Sequence, residues 1–204
     1  MKKIIALATA ALLFSGMAGA QTYFNIGYGL PEDVITFGDT DPSTSTFNTA
    51  FAGISHNIKM GKALGIEAGV NFVYGFNDDR SDVLGIDSDI RYRSYGFNAP
   101  ILLNYGIPIG NLFTLKVFAG PTLHYGLSSV TSSIVGGKIM YSIDNYTESN
   151  YDKFFASAGA AVAAEFGDTF RIKAGYDLGL TDIQKAAKVT LKENLLSLTL
   201  SYMF

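Results

Sequence analysis

Among the 204 residues, the side chains best suited to polar chemistry are Glu67, Lys116, His124, Glu165, Arg171, Lys173 and Asp177. Each stands in a stretch where apolar and polar residues alternate, and each falls on the polar side. Charges of both signs on a shared face suit two kinds of chemistry. They can close into a network of ion pairs, or they can line a narrow hydrated conduit, because a buried charge without a partner is costly. Hydrolysis would need a base within reach of a nucleophile, a pairing open here to His124 with Ser128 or Ser129. No motif frames those serines, so His124 reads as one more polar member of the network. With no cysteine and only His56 and His124 as imidazoles, no transition-metal site, cofactor or catalytic residue is expected. The run "NDDRSDVLGIDSD" (77–89) gathers Asp78, Asp79, Asp82, Asp87 and Asp89, oxygen ligands of the kind Ca²⁺ takes. Its spacing misses the EF-hand pattern and Arg80 sits among the acids, so a solvated loop is the expectation.

The elements that must position these side chains are strands. In "FRIKAGYDLGL" (170–180), Phe170, Ile172, Ala174, Tyr176, Leu178 and Leu180 share one face, with Arg171, Lys173 and Asp177 on the other. That two-residue period is the mark of a strand with one apolar face. "LGIEAGVNFVYGF" (64–76), "LFTLKVFAGPTLHYG" (112–126) and the ending "NLLSLTLSYMF" (194–204) repeat it. Segments 22–30, 49–58 and 92–105 read the same way, less cleanly. Segment 152–166 is Ala-rich and reads as a strand, with a short helix as the alternative. The connections sort by parity. Those at 59–63, 106–111 and 167–169 are tight and carry turn residues such as Gly61, Gly110, Asn111 and Gly167. Those at 31–48, 75–90, 127–151 and 181–192 are long and polar.

Composition explains what the apolar faces meet. The chain is 48% hydrophobic, with 15 Phe, 12 Tyr and 22 Gly. Beyond residue 20 it has no apolar run long enough for a spanning helix, and its longest is "AGAAVAA" (158–164). An apolar, aromatic, Gly-rich chain diluted by alternation fits a transmembrane β-barrel. In hydrocarbon every backbone amide must be paired, which strands achieve only in a closed ring. The expected fold is therefore all-β, an eight-stranded antiparallel up-and-down transmembrane barrel. Short turns face the periplasm and long loops face outward. Eight strands leave an interior that side chains can fill, and the polar face, with its charges and its glycines, becomes that interior.

Residues 1–20 read as a secretory signal peptide: Lys2 and Lys3, then "IIALATAALLF", then "SGMAGA" with a cut after Ala20. Residues 21–204 form the barrel domain, whose 13 basic and 18 acidic residues give a net charge of −5 and argue against nucleic acid as a partner. "NYT" (145–147) matches a glycosylation sequon and reads as a chance match in an exported bacterial protein.

Four segments, "FNAPILLNYG" (97–106), "FAGPTLHYGL" (118–127), "AGYDLGLTDI" (174–183) and "LLSLTLSYMF" (195–204), together resemble the PorT-like outer-membrane β-barrel family of Bacteroidota. The shared marks are the Pro-Leu-Leu-Leu-x-Tyr strand (Pro100 to Tyr105), Gly120-Pro121, and Gly179-Leu180-Thr181. The family often has an acid at the position of Asn98 and a base at that of Asn104, so no ion pair is implied there. The resemblance implies the barrel fold and an outer-membrane address, and it brings no agreed activity. Its named member acts in protein secretion.

The functional expectation is a monomeric outer-membrane barrel with a structural or surface-interaction role and no reaction. Passage of small solutes is the alternative; an accessory secretion component or a barrel-embedded hydrolase are further ones. Membrane lipid is the first partner. Terminal Phe204 resembles the signature read by the outer-membrane barrel assembly machinery, a second expected partner. Within 127–151, Val130 and Ile134, then Gly136-Gly137, then Ile139, Tyr141 and Ile143, predict a hairpin standing beyond the membrane. That hairpin is the expected contact for a surface partner, and it would raise the strand count to ten.

Overall fold

A computed structural model describes residues 20–38, 40–83, 86–110, 112–184 and 189–204. The signal peptide up to Gly19 and the turn residue Asn111 lie outside the described residues. Ten strands follow one another: β1 (Ala20–Phe37), β2 (Ser43–Thr46), β3 (Asn48–Lys59), β4 (Leu64–Val83), β5 (Ile86–Ile109), β6 (Phe113–Val135), β7 (Lys138–Asp144), β8 (Phe154–Phe166), β9 (Phe170–Gly179) and β10 (Val189–Met203). Eight of them close a ring in the order β1-β3-β4-β5-β6-β8-β9-β10, with β10 returning to β1. Every pairing in the ring is antiparallel. The Ala-rich segment is the strand β8.

The remaining two strands do not widen the ring. β2 pairs with β1 above the stretch that β3 occupies, and β7 pairs with β6 above the stretch that β8 occupies. Both extend the wall outward. The choice between eight and ten strands therefore resolves into eight that circle the lumen and two that raise its rim.

Alternation sets inside from outside. Phe24, Ile26, Tyr28 and Leu30 of β1 are exposed on the outer surface, as are Leu196, Leu198, Leu200, Tyr202 and Phe204 at the other end of the chain. These outward runs, Phe24 to Leu30 and Leu196 to Phe204, approach the length of about 9–11 residues that a tilted strand needs to cross hydrocarbon. Their inward neighbours Tyr23, Asn25, Thr199 and Ser201 are buried. The usual protein is thus inverted, with an apolar exterior for lipid and a largely polar interior. A small apolar cluster, Leu102 with Phe118 and Ala163, is set within it.

The expected outer loops require correction. β4 and β5 pair from Leu64↔Tyr105 to Val83↔Ile86, so the described residues of 75–90, 75–83 and 86–90, are paired strand and not a solvated loop. β1 runs on to Phe37 through much of 31–48, and β10 begins at Val189, inside 181–192. The reason is physical. Above the membrane both faces of a strand meet water, so the two-residue period fades although the backbone ladder continues. The hairpin predicted within 127–151 is present as β6–β7, and Gly136 and Gly137 turn it with φ of +57° and +76°. Both values lie in the left-handed region that such a two-residue turn requires.

Candidate lumenal site

Five of the seven candidate residues converge at the periplasmic end of the lumen. Arg171 on β9 is fully buried and grips Glu67 on β4 from across the barrel. One guanidinium nitrogen meets Glu67 Oε2, while the other donates to Glu67 Oε1 at 3.0 Å and to Ser201 at 3.4 Å. This fork of two donors on one carboxylate is the strongest geometry available to such a pair. Lys173 Nζ lies 3.5 Å from the same carboxylate. A second pair, Lys116 to Glu165 at 2.8 Å, joins β6 to its neighbour β8, and the Tyr23 hydroxyl donates to Glu165 at 2.9 Å. The Arg171 guanidinium carbon is 4.0 Å from the centre of the Tyr23 ring, and Lys173 Nζ is 5.2 Å from that of Phe118. Three cations, two carboxylates and two rings therefore form one floor across the barrel.

The other two candidates stand apart. His124 lies higher in the lumen, stacked on Phe155 with ring centres 4.3 Å apart. Its Nε2 meets Ser157 Oγ at 2.9 Å, so its serine partner is not Ser128 or Ser129 as the hydrolase reading required. The reason is register: β8 brings Ser157 alongside β6, whereas Ser128 and Ser129 pair with β5 above a bulge. Asp177, on β9 two inward positions above Lys173, forms no ion pair among the described residues. The backbone of Gly159 lies against it, so close that a β-carbon there would fall 2.2 Å from Asp177 Oδ1. Outside the lumen, His56 bonds Thr22 through Nδ1 at 2.9 Å. Of the acids of 77–89, Asp78 pairs with Arg91 and Arg93, and Asp89 with Arg80, while the side chains of Asp82 and Asp87 lie outside those described.

Neutral side chains that the charge pattern did not single out complete the lumen. Asn104 donates to Asn57 at 2.8 Å and Asn71 to Asn98 at 2.7 Å, so both asparagines of the family-variant positions are buried and amide-bonded. Tyr23 and Phe118 were legible only as inward members of an alternating run. Above the floor lie two adjoining cavities. The lower, of about 60 Å³, is lined by Asn71, Asn98, Thr122, Lys173, Asp177 and Thr199 among others. The upper, of about 90 Å³, lies at the outer mouth, and Phe51, Asn98 and Leu195 border both.

That outer mouth holds two carboxylates the sequence reading did not name. Asp33 and Glu193 are direct cross-strand partners on β1 and β10, on the inward side and above the lipid-facing band. Burial pushes Asp33 up to about 7, and burial together with the charge of Asp33 opposite pushes Glu193 up to about 8. The signal that could have found them is inward parity, had both strands been extended beyond the membrane.

The family model for the outer membrane protein beta-barrel domain matches residues 6–204. No curated protein matches the chain. Among solved structures, Ail, the attachment invasion locus protein of Yersinia pestis, in complex with the heparin analogue sucrose octasulfate, aligns at 18% identity. That alignment covers 92% of this chain and 100% of the other, with a TM-score of 0.47. Neisserial surface protein A aligns at 13% identity over 89% of this chain and 97% of the other, with a TM-score of 0.44.

Proposed function

The chain belongs to the outer membrane protein beta-barrel domain family, and from that premise we propose a non-enzymatic outer-membrane barrel whose raised outer sheet contacts a partner beyond the cell. The observation that carries the reading is the β6–β7 hairpin. Among the described residues β7 pairs only with β6, so its other edge presents backbone donors and acceptors. Ile139, Met140 and Tyr141 at its tip are more than half exposed. An edge of this kind accepts an added strand, with side-chain contacts giving selectivity. The bonded lumen floor supports the same reading, since it braces a wall and aims no reactive group. The unpaired buried atoms Asn25 Oδ1 and Arg171 Nε favour a second reading, slow passage of small solutes. Steady single-channel conductance in planar bilayers would select that one.

Four finer assignments are part of the proposal. The motifs around Pro100, Gly120 and Gly179 support a place among PorT-like barrels. The alternation ending in Phe204 supports delivery by the barrel assembly machinery, and closure by the chain's own strands supports a monomer. The leader is cut after Ala20, which removes the first residue of β1 and keeps its pairing with β3 from Gln21↔Asn57 onward. The test of surface contact is adhesion of cells displaying the full chain to panels of glycans, matrix proteins and other cells. A chain with Val135–Asp144 replaced by a short turn is expected to lose it. Equal adhesion by both chains, or none above cells lacking the protein, refutes the reading.

A further inference from the structure

The cavity at the outer mouth combines features that the proposed surface role does not use. Phe47, Phe51, Tyr92, Tyr146 and Phe155 supply rings to its lining, and Glu193 supplies a carboxylate. Phe47 and Tyr92 pack edge to face at 5.0 Å, which holds both in place. Asp33 stands directly opposite Glu193, and like charges so placed repel. No ion pair relieves either acid among the described residues. Lys192 falls on the other face of β10. Of the basic groups around the cavity, His124 is bonded to Ser157, and exposed Lys153 sits 5.3 Å from the centre of the Tyr146 ring. Tyr146 thus already takes a cation on one side.

We propose that this outer cavity binds a small organic cation, an ammonium group carried on a few aliphatic carbons, held by the aromatic lining and by Glu193, with Asp33 paired behind it on β1 adding its charge. Aromatic faces attract cations, most strongly where water is excluded. Bare Ca²⁺ is a poor fit, because it takes six to eight oxygen ligands where this cavity offers mainly carbon. A volume of about 90 Å³ admits a head group of a few heavy atoms. Beneath it, in the adjoining cavity, Asn71 is more than nine-tenths buried and its Oδ1 has no hydrogen-bond partner among the described residues. Deeper still, Lys173, Arg171 and Lys116 turn a cation back. The lumen is thus polarised, acidic at the mouth and basic at the floor, and the ammonium rests between.

The test uses the full chain refolded in lipid nanodiscs and titrated calorimetrically with n-butylammonium, n-butanol and n-butyrate at about pH 8.5, where both acids are ionised. Saturable binding of butylammonium alone is expected, weakened at least about tenfold by Asp33→Asn with Glu193→Gln. A Tyr92→Leu variant is expected to weaken it severalfold with the acids intact. Equal binding of butanol shows a merely apolar cavity and overturns the proposal, as does unchanged affinity in the double variant. Heat-modifiable gel mobility confirms that each variant is folded. The comparison of the three titrants on the unaltered chain decides the matter even if a variant is not.

Discussion

Glu67→Gln is the perturbation that probes the lumen floor most directly. The substitution keeps the shape of the side chain and removes its charge. Arg171, with no exposed surface, then loses the partner of its two forked bonds and keeps Ser201 and the face of Tyr23. Lys173 loses the carboxylate 3.5 Å away. The floor changes from three cations and two anions to three and one. Breaking one side of a buried pair costs about 3–5 kcal/mol, chiefly for the charge left behind. Removing that charge as well, in Glu67→Gln with Arg171→Met, is expected to recover about 2 kcal/mol or more relative to the sum of the single losses. The assay is urea unfolding of the full chain in lipid vesicles, followed by far-ultraviolet circular dichroism and by gel mobility of unboiled samples. A single loss below about 1 kcal/mol, or a double cycle additive within about 0.5 kcal/mol, refutes the reasoning. Water, and not Glu67, would then be what solvates Arg171.

Two further outcomes follow from the same architecture. Leu200→Arg, on the lipid side midway along the C-terminal strand segment, is expected to cost about 2–4 kcal/mol in vesicle unfolding, whereas Ile139→Arg at the hairpin tip costs less than about 0.5 kcal/mol; equal costs contradict the assigned membrane band. Asp33 and Glu193 hold their protons more tightly folded, at about 7 and about 8, than as ordinary unfolded carboxylates near about 4. The stability they contribute is complete below about pH 4 and is lost as pH rises through 7 to 8. Amides of the outer β1–β10 seam should therefore lose protection progressively between about pH 4 and pH 8, after correction for intrinsic exchange, and Asp33→Asn with Glu193→Gln should abolish the change.

Legibility followed solvent. Where one face of a strand meets lipid, alternation exposes both the strand and its inward residues, so Glu67, Arg171 and Lys173 read as members of the polar side. Their mutual contacts were not legible, because pairing across the lumen depends on stagger around the ring. Register likewise gave His124 to Ser157. Above the lipid the period vanished, and with it the strand continuations carrying Asp33, Tyr92 and Glu193. The β6–β7 hairpin was the exception, since its Gly136-Gly137 turn and residual alternation marked it locally.

Seven of the eight seams in the ring join strands close together in the chain. The eighth joins Tyr23 to Met203, and continues to Phe37 and Val189. Its partners are 180 residues apart at the periplasmic end, where the Phe204 amide also donates to the Thr22 carbonyl at 3.1 Å. Closing so long a loop carries the largest entropy cost of any pairing, and non-local pairings form slowly. The chain can therefore lay down its hairpins piecemeal but completes its cylinder in one final act. Until then it is a curved sheet with two open borders in need of shelter.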